Sequence, residues 1–259
     1  MNEVDKLLRI LGDGAQATPE QSRRRLREII TVLPPGEIPE EAWPLLEALW
    51  SAEAAMRVTT RASALPRLSK TGWGSHVSVW HGDITKLEID AIVNAANSGL
   101  TGCYSPMHPC VDNAIHTAAG PWLREECGRI MKERGRPEPT STATVTRGYF
   151  LPARHVIHTV GPIVERGAPT AGDEAALSRC YSGCLGEAAA TPGVTSIAFC
   201  GISTGVFGYT PALAAPVATN AVRGFLESDG RIEHCVLVAY SQSDFDVLTA
   251  AATDELNVR

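Results

Sequence analysis

The sequence predicts an α/β fold in which helices cover both faces of a sheet, and two observations lead to this prediction. From residue 76 onward, short runs rich in β-branched and aromatic residues alternate with longer stretches of helical periodicity. Residues 1–70 show helical periodicity without a strand pattern. The 259 residues, 44% of them hydrophobic, therefore divide into a helical N-terminal extension over residues 1–70 and an α/β domain over residues 71–259.

The extension is predicted to contain three helices. Apolar residues recur at steps of three and four in two stretches: Val4, Leu7, Leu8 and Leu11, then Leu26, Ile29, Ile30 and Leu33. Thr18 is the predicted N-cap of the second helix, with Pro19 in the first turn and Gln21 completing a capping box. A third helix is expected over about residues 40–57. The Pro-, Gly- and Ser-rich stretch 65–75 marks the boundary of the extension.

The α/β domain is predicted to contain five strands and four helices. The strands are expected at residues 76–81, 90–94, 155–160, 196–200 and 235–240, and the helices at 111–133, 173–190, 211–228 and 244–256. Ligands of open α/β sheets collect where strands end. Polar and glycine-rich segments that follow the strands are therefore the candidate functional residues.

Composition and charge exclude several classes of partner. The formal net charge of -6 provides no basic surface for duplex nucleic acid, and the run of arginines at 23–27 is interpreted as a solvated helix face. No apolar run approaches the roughly 20 residues of a spanning helix, so no membrane partner is expected. Seven cysteines and an N-terminus without a signal-peptide profile favour a reducing cytoplasm.

Cys103, His108 and Cys110 form a compact C-x4-H-x-C cluster that is typical of a zinc site. Two thiolates and an imidazole supply three ligands, and no fourth ligand follows at finger or ribbon spacing. An open coordination position favours reactive metal chemistry over a purely structural role. The alternative interpretation is two structural cysteines beside a surface histidine.

Polar residues on both sides of this cluster are further candidates. Asp83, in residues 82–85 (GDIT), either accepts a hydrogen bond from a base amine or closes an Asx-turn toward Thr85. Asn97, six residues before Cys103, carries an amide suited to sugar hydroxyls, and Asn94 has either that role or a turn role.

Asp112 lies in the first turn of the helix predicted to begin at residue 111. Its position close to Cys110 suits a carboxylate that orients or deprotonates water at the metal. The alternative is a helix-capping carboxylate. His116 is interpreted as a histidine at the edge of the core and not as a metal ligand.

A glycine-rich turn at residues 201–209 (GISTGVFGY) follows one predicted strand and precedes a helix with Thr210 as N-cap and Pro211 in the first position. Backbone amides in such a turn can bind a pyrophosphate without a lysine. The turn lacks the P-loop ending, and no G-x-G-x-x-G opens the first helix, so nucleotide hydrolysis and hydride transfer lose support. Tyr240, at the end of the last predicted strand, either stacks on an adenine ring or packs against other side chains of the protein.

Taken together, these motifs resemble the macrodomain family, and the cysteine-histidine insertion resembles its zinc-dependent branch, the protein-ADP-ribose hydrolases of microbes. The resemblance rests on residues 82–85, 93–97, 103–116, 151–162 and 201–209. It implies a three-layer α/β/α domain with a mixed central sheet. It also implies that Ser141 replaces a glycine of related sequences, with little expected harm.

The resemblance further implies a role for each site residue. Asp83 binds the adenine amino group, and Ile84 lends a backbone amide. The residues that cradle the pyrophosphate are Ser203, Thr204, Gly205, Val206 and Phe207. Asn97 and Asp112 face the distal ribose as the catalytic pair.

The implied activity is zinc-dependent hydrolysis that removes mono-ADP-ribose from modified protein side chains, with an aspartate or glutamate ester as the expected linkage. A non-catalytic reader of ADP-ribose with a structural zinc is the alternative. Zinc deaminases and metalloproteases are disfavoured because their H-x-E with P-C-x-x-C and H-E-x-x-H motifs are absent.

Overall fold

A computed structural model describes residues 2–14 and 18–257 of the chain. Its central element is a six-stranded mixed sheet. The strands of the chain are β1 (Thr60–Arg61), β2 (Val77–His81), β3 (Leu87–Glu88), β4 (Ala91–Ala95), β5 (Ala143–Arg147), β6 (His155–Thr159), β7 (Ser196–Phe199) and β8 (His234–Ala239). The order in the large sheet is β2-β8-β7-β4-β6-β5, and β1 pairs with β3 in a separate two-stranded ladder.

Every pairing in the large sheet is parallel except that of β5 with β6. All six residues of β8 are buried, because helices cover both faces of its part of the sheet. The five predicted strands are confirmed. The strand β5 at one edge was not predicted, because its two buried positions are threonines and its last residue, Arg147, is exposed.

The helices of the α/β domain are α4 (Val111–Ala119), α5 (Pro121–Arg134), α6 (Ala171–Ala190), α7 (Pro211–Ser228) and α8 (Gln242–Leu256). One apolar core joins the sheet to α6, α7 and α8, and a second joins its other face to α4 and α5. This is the predicted three-layer α/β/α arrangement. Within the described residues, no helix has both the length and the apolar character needed to cross a membrane.

The single helix predicted over residues 111–133 is wrong, because the structure contains two helices there. Gly120 has a φ of 86° and ends α4, and Pro121 occupies the first turn of α5. A positive φ suits glycine, and proline is well tolerated in a first turn. The apolar pattern continues across this break, so periodicity alone did not reveal it.

The extension contains α1 (Glu3–Ile10), α2 (Pro19–Val32) and α3 (Trp43–Met56). Both hydrogen bonds of the Thr18–Gln21 capping box form, as predicted. The extension has its own apolar core, and Trp122 of α5 and Phe150 pack against it. The indole of Trp50 donates to the Thr117 carbonyl of α4 at 3.0 Å. The helical extension is thus docked on the α4–α5 layer, while its boundary at residue 70 stays a prediction.

Candidate active site

A large cleft of about 1460 Å³ opens at the carboxyl ends of the parallel strands. Its walls come from the segments that follow β2, β4, β7 and β8, as expected for an open α/β sheet. The cleft is lined by these residues, each assigned a ligand-binding, catalytic or metal-binding role from the sequence: Asp83, Ile84, Asn97, Cys103, His108, Cys110, Asp112, Ser203, Thr204, Gly205, Val206, Phe207 and Tyr240.

Cys103, His108 and Cys110 converge on one side of the cleft, in a segment that we call the metal loop (residues 102–110). The Cys103 Sγ lies 3.6 Å from the His108 Nδ1, and the three ligand atoms lie within 4.8 Å of one another. Two such ligands are about 3.5 Å apart when they share a tetrahedral zinc ion with bonds of roughly 2.0–2.3 Å. The donor set and its spacing therefore fit zinc.

Neither cysteine of the metal loop belongs to the core, because both are partly exposed while the other five are buried. Burial still raises the pKa of the Cys110 thiol to about 11, and the neighbouring Cys103 and Asp112 add to this effect. A thiol with such a pKa stays protonated near neutral pH, which makes it a poor free nucleophile. Two partly exposed thiols beside an imidazole form a donor set that a soft metal ion such as zinc would favour.

Asn113 fixes the end of the metal loop on α4. Its backbone amide donates to the Cys110 Sγ at 3.4 Å, and its side-chain amide donates to the His108 carbonyl at 3.0 Å. Cys110 itself is the N-cap of α4. Asp112 is therefore not the residue that caps this helix, which removes the alternative interpretation of its carboxylate.

Asp112 is a buried carboxylate at the floor of the cleft, with 5% of its surface exposed. The Asn94 amide donates to its Oδ1 at 2.8 Å, and the Asn97 amide approaches its Oδ2 at 3.3 Å. Burial raises the pKa of Asp112 to about 6, although both amides and the Arg124 charge lower it. This environment is typical of a carboxylate that exchanges protons near neutral pH.

The two asparagines have different roles in the structure. Asn97 also donates to the Gly102 carbonyl at 3.0 Å, so it joins Asp112 to the start of the metal loop. Asn94 is fully buried beneath the cleft and contacts Asp112 and the His158 ring. Asn94 therefore supports the carboxylate from below, a role that sequence reasoning missed.

Asp83 forms the Asx-turn that the sequence allowed. Its Oδ1 accepts from the Thr85 backbone amide at 3.0 Å and from the Thr85 hydroxyl at 2.7 Å. The Gly82 amide bonds to the Ala239 carbonyl at 2.9 Å, which brings this turn beside Tyr240. Tyr240 is 85% exposed, so it is available to a ligand and does not pack in the core.

The glycine-rich turn is built around Ser203, which has a positive φ of 64° and is buried. The Tyr209 amide donates to the Ser203 carbonyl, and the Gly208 amide donates to the Gly205 carbonyl, both at 3.0 Å. Within the described residues, the backbone amides of residues 204–207 donate to no backbone carbonyl. They and the N-terminus of α7 form a site suited to an anion.

Thr210 and Ser141, two residues singled out from the sequence, form hydrogen bonds that the sequence did not predict. Thr210 precedes α7 as predicted, but its hydroxyl donates to the Gly167 carbonyl at 2.8 Å and makes no cap hydrogen bond. Ser141 has a φ of 71°, a conformation that favours glycine. Its hydroxyl donates to the Ala176 carbonyl at 2.8 Å, a contact that a glycine would lack.

A second cluster of His116, Cys127 and His158 also has its ligand atoms within 4.8 Å of one another. The His158 Nδ1 faces the Asn94 amide at 3.1 Å, and its Nε2 faces the Thr146 hydroxyl at 3.0 Å. Burial lowers the pKa of His158 to about 3 and that of His116 well below its usual value. This cluster is a buried, neutral part of the interior. The His158 ring is hydrogen-bonded, whereas the two ring nitrogens of His116 have no hydrogen-bond partner within the described residues, and its Nε2 lies 3.6 Å from the Asp112 Oδ1.

The extension also contributes to the cleft, a feature that the sequence did not indicate. Arg27, Glu53 and Arg57 line it from α2 and the end of α3. Arg27 pairs with Glu53 at 2.8 Å, and the Arg57 guanidinium donates to the Phe150 and Ala118 carbonyls at 2.6 and 3.2 Å. The arginines of α2 thus pair with carboxylates or line the cleft, in agreement with their interpretation as a solvated face.

Comparison with known proteins gives consistent matches. A family profile described as "Macro domain" matches residues 93–218. A protein-ADP-ribose hydrolase of Treponema medium is 40% identical over 89% of this chain and 88% of its own length. One from Staphylococcus aureus (strain MRSA252) is 42% identical over 69% of this chain and 66% of its own length.

A solved structure resembles nearly the whole chain. The Trypanosoma brucei macrodomain in complex with ADP-ribose is 30% identical, with a TM-score of 0.65 over 95% of this chain and 94% of its own. That coverage includes most of the helical extension. The arrangement of extension and α/β domain is therefore shared with that protein.

Proposed function

This chain belongs to the macrodomain family of protein-ADP-ribose hydrolases, and we propose that it removes mono-ADP-ribose from modified protein side chains by zinc-dependent hydrolysis, with aspartate and glutamate esters as its main substrates. One observation carries the proposal. A zinc-type ligand cluster and the buried carboxylate of Asp112 meet at one side of the cleft, where Asn97 hydrogen-bonds both to the carboxylate and to the start of the metal loop.

The nucleotide part of the substrate is held by loops of the cleft other than the metal loop. The amides of residues 204–207 bind the pyrophosphate, and the N-terminus of α7 adds a favourable dipole. Asp83, whose Oδ2 is not used by the Asx-turn, accepts from the adenine amine beside Ile84. Tyr240 covers the base. Binding of this large part of the ligand fixes the distal ribose against Asn97 and Asp112.

Cys103, His108 and Cys110 are the residues that hold zinc, which when bound supplies a Lewis acid beside the distal ribose. Asp112 accepts the proton of the attacking water, and the Asn94 and Asn97 amides keep its carboxylate oriented. The water oxygen bonds to the anomeric carbon while the bond from that carbon to the modified side chain breaks. The side-chain carboxylate departs as an anion, and Asp112 then releases its proton to solvent.

The alternative is a reader that binds ADP-ribose without cleaving it. The buried, raised-pKa carboxylate favours the enzyme, because simple recognition of a sugar does not require a proton acceptor held at the floor of the cleft. A reader would bind ADP-ribose with no turnover on any linkage.

The proposal is tested by measuring ADP-ribose release from an aspartate-linked and a serine-linked modified protein, together with metal analysis. We expect about one zinc per chain, release from the aspartate-linked substrate, loss of activity with a chelator and recovery with zinc. Binding of ADP-ribose without release would support the reader. Faster release from the serine-linked substrate would overturn the ester specificity alone.

Replacing Tyr240 with alanine is expected to weaken ADP-ribose binding by about 5- to 160-fold, because stacking of a base on an aromatic ring contributes roughly 1–3 kcal/mol. The melting temperature should not change, since the side chain is 85% exposed. Isothermal titration calorimetry measures the dissociation constant. Val58→Ala is the control, because Val58 is 84% exposed and lies outside the cleft. Unchanged affinity in Tyr240→Ala would exclude the stacking role.

Replacing Gly161 with alanine is expected to weaken ADP-ribose binding at least tenfold while zinc content stays unchanged. A methyl group there would lie 2.0 Å from the Ser203 Oγ and 2.8 Å from the Ile202 side chain, so the turn that presents the amides of 204–207 must shift. Gly224→Ala is the matched control, because that helical glycine has open space around it and alanine favours a helix. Equal affinities of both variants would contradict the assigned pyrophosphate site.

A further inference from the structure

Arg124 of α5 is a buried cation that lies between the helical extension and the metal loop. It is 7% exposed. We propose that Arg124 is a positioning residue that couples the docked extension to the metal loop, so that the extension determines the geometry of the zinc ligands. This inference rests on the proposed function, since it assumes that Cys103, His108 and Cys110 bind zinc.

One side of the guanidinium contacts the extension. Its Nη1 donates to the carbonyls of Ile30, Thr31 and Leu33 at 2.9, 2.6 and 3.0 Å. These carbonyls lie at the C-terminal end of α2, where a helix has unsatisfied acceptors and a partial negative charge. A second contact joins the extension to α5 nearby, because the Gly36 amide donates to both carboxylate oxygens of Glu125 at 2.9 Å.

The other side of the guanidinium contacts the metal loop. Its carbon lies 4.6 Å from the centroid of the Tyr104 ring, a cation–π distance. Gly102 passes so close that a methyl group on it would lie 3.2 Å from the Arg124 Nη2 and 2.9 Å from the His116 ring. One planar group therefore touches the end of α2 and the first residues of the metal loop.

The metal loop has few other attachments. It contains no regular secondary structure, and Gly102 and Met107 have positive φ values of 85° and 59°. Asn97 holds the Gly102 carbonyl, and Asn113 holds the His108 carbonyl. The stacking of Tyr104 on Arg124 supports the part of the loop next to Cys103. Loss of that contact leaves Cys103 attached only through its neighbours.

Lysine cannot replace this arginine in both contacts. A guanidinium is planar, so it donates along its edge to carbonyls and stacks with its face on an aromatic ring. An ammonium group is a compact point charge without a face. The hydrogen bonds to the α2 carbonyls and the stacking on Tyr104 together therefore require arginine. Loss of the guanidinium also leaves the carbonyls at the end of α2 without this donor.

The experiment compares Arg124→Lys and Arg124→Met with Arg129→Met, a control on the same helix whose side chain is 61% exposed and pairs with Glu133. Zinc affinity is measured by competition with a chromophoric chelator. We expect at least tenfold weaker zinc binding and a lower kcat in both Arg124 variants. The KM and the ADP-ribose dissociation constant should change less than threefold, because the adenosine and pyrophosphate sites lie on other loops.

A pair of variants in the metal loop keeps the test valid if the Arg124 variants fail to fold. Tyr104 is 41% exposed, so its replacement should not affect folding. Tyr104→Phe retains the ring and should keep the zinc affinity, whereas Tyr104→Leu loses the stacking and should weaken it several-fold. Equal zinc affinities of Tyr104→Leu, Tyr104→Phe and the unmodified protein would overturn the proposal.

Alkylation of metal-free protein separates this inference from the proposed zinc function. Cys103 and Cys110 are the two cysteines that are not buried, so native-state alkylation reports on the metal loop. Faster alkylation in Arg124→Met than in Arg129→Met supports the coupling even if the unmodified protein binds no zinc, an outcome that would defeat the zinc function alone. Equal alkylation rates would overturn the coupling.

Discussion

Replacing Asp112 with asparagine is expected to lower kcat for ADP-ribose release by about 10²- to 10⁴-fold, the range usual for loss of a general base. Asparagine keeps the shape of the side chain and can still contact Asn94 and Asn97. It cannot accept a proton from water. Binding of ADP-ribose should persist, because the nucleotide is held by residues 204–207, Asp83 and Tyr240.

Release from the aspartate-linked substrate measures kcat, and calorimetry measures ADP-ribose binding. The control is Asp246→Asn, which should retain full activity. Asp246 is an exposed carboxylate on α8 that accepts from the Gln242 amide one turn earlier in the helix. Retention of more than a tenth of kcat in Asp112→Asn would show that another group accepts the proton.

Replacing Cys103 with alanine is expected to remove bound zinc and to lower the hydrolysis rate at least 100-fold. Three protein ligands already leave one coordination position open, and loss of one thiolate leaves His108 and Cys110 as a pair that binds zinc weakly. Elemental analysis measures zinc per chain, and the release assay measures the rate. The fold should remain intact, because Cys103 is partly exposed and outside the core.

Cys184→Ala is the control for removal of a thiol. Cys184 is fully buried in α6, away from the cleft, so this variant should lose some stability but keep its zinc and activity. A Cys103→Ala protein with a full equivalent of zinc and an unchanged rate would refute both the ligand assignment and the catalytic use of the metal.

The two variants together distinguish the steps of the reaction. Asp112→Asn should keep zinc and lose turnover, whereas Cys103→Ala should lose both. If the metal is only structural, the Cys103→Ala substitution should instead lower mainly the melting temperature. The protein that remains folded should then keep its kcat.

The central strands could be predicted from sequence because both of their faces are buried. β4 and β8 contain runs of buried apolar residues, and such runs are a strong local signal. The strand β5 and the break at Gly120 were missed for different reasons. The buried positions of β5 are Thr144 and Thr146, so its inward face is polar and gives no apolar signal. A new helix that begins directly after another preserves the helical periodicity.

The sequence by itself determined the candidate metal loop, the glycine-rich turn and the position of Asp112. In each case the relevant residues lie within about ten positions of one another, so local spacing and turn chemistry fix their arrangement. Their convergence on one cleft followed from the parallel sheet, whose strand ends share an edge.

Only the tertiary structure decided how these parts are supported. Arg124 reaches the end of α2 across 91 to 94 positions, and Asn94 reaches His158 across 64. Contacts at such separations leave no periodic or spacing signal in one sequence, because they depend on how whole helices pack. The role of the extension as a wall of the cleft and a support of the metal loop therefore emerged only from the packing of α2 against α4 and α5.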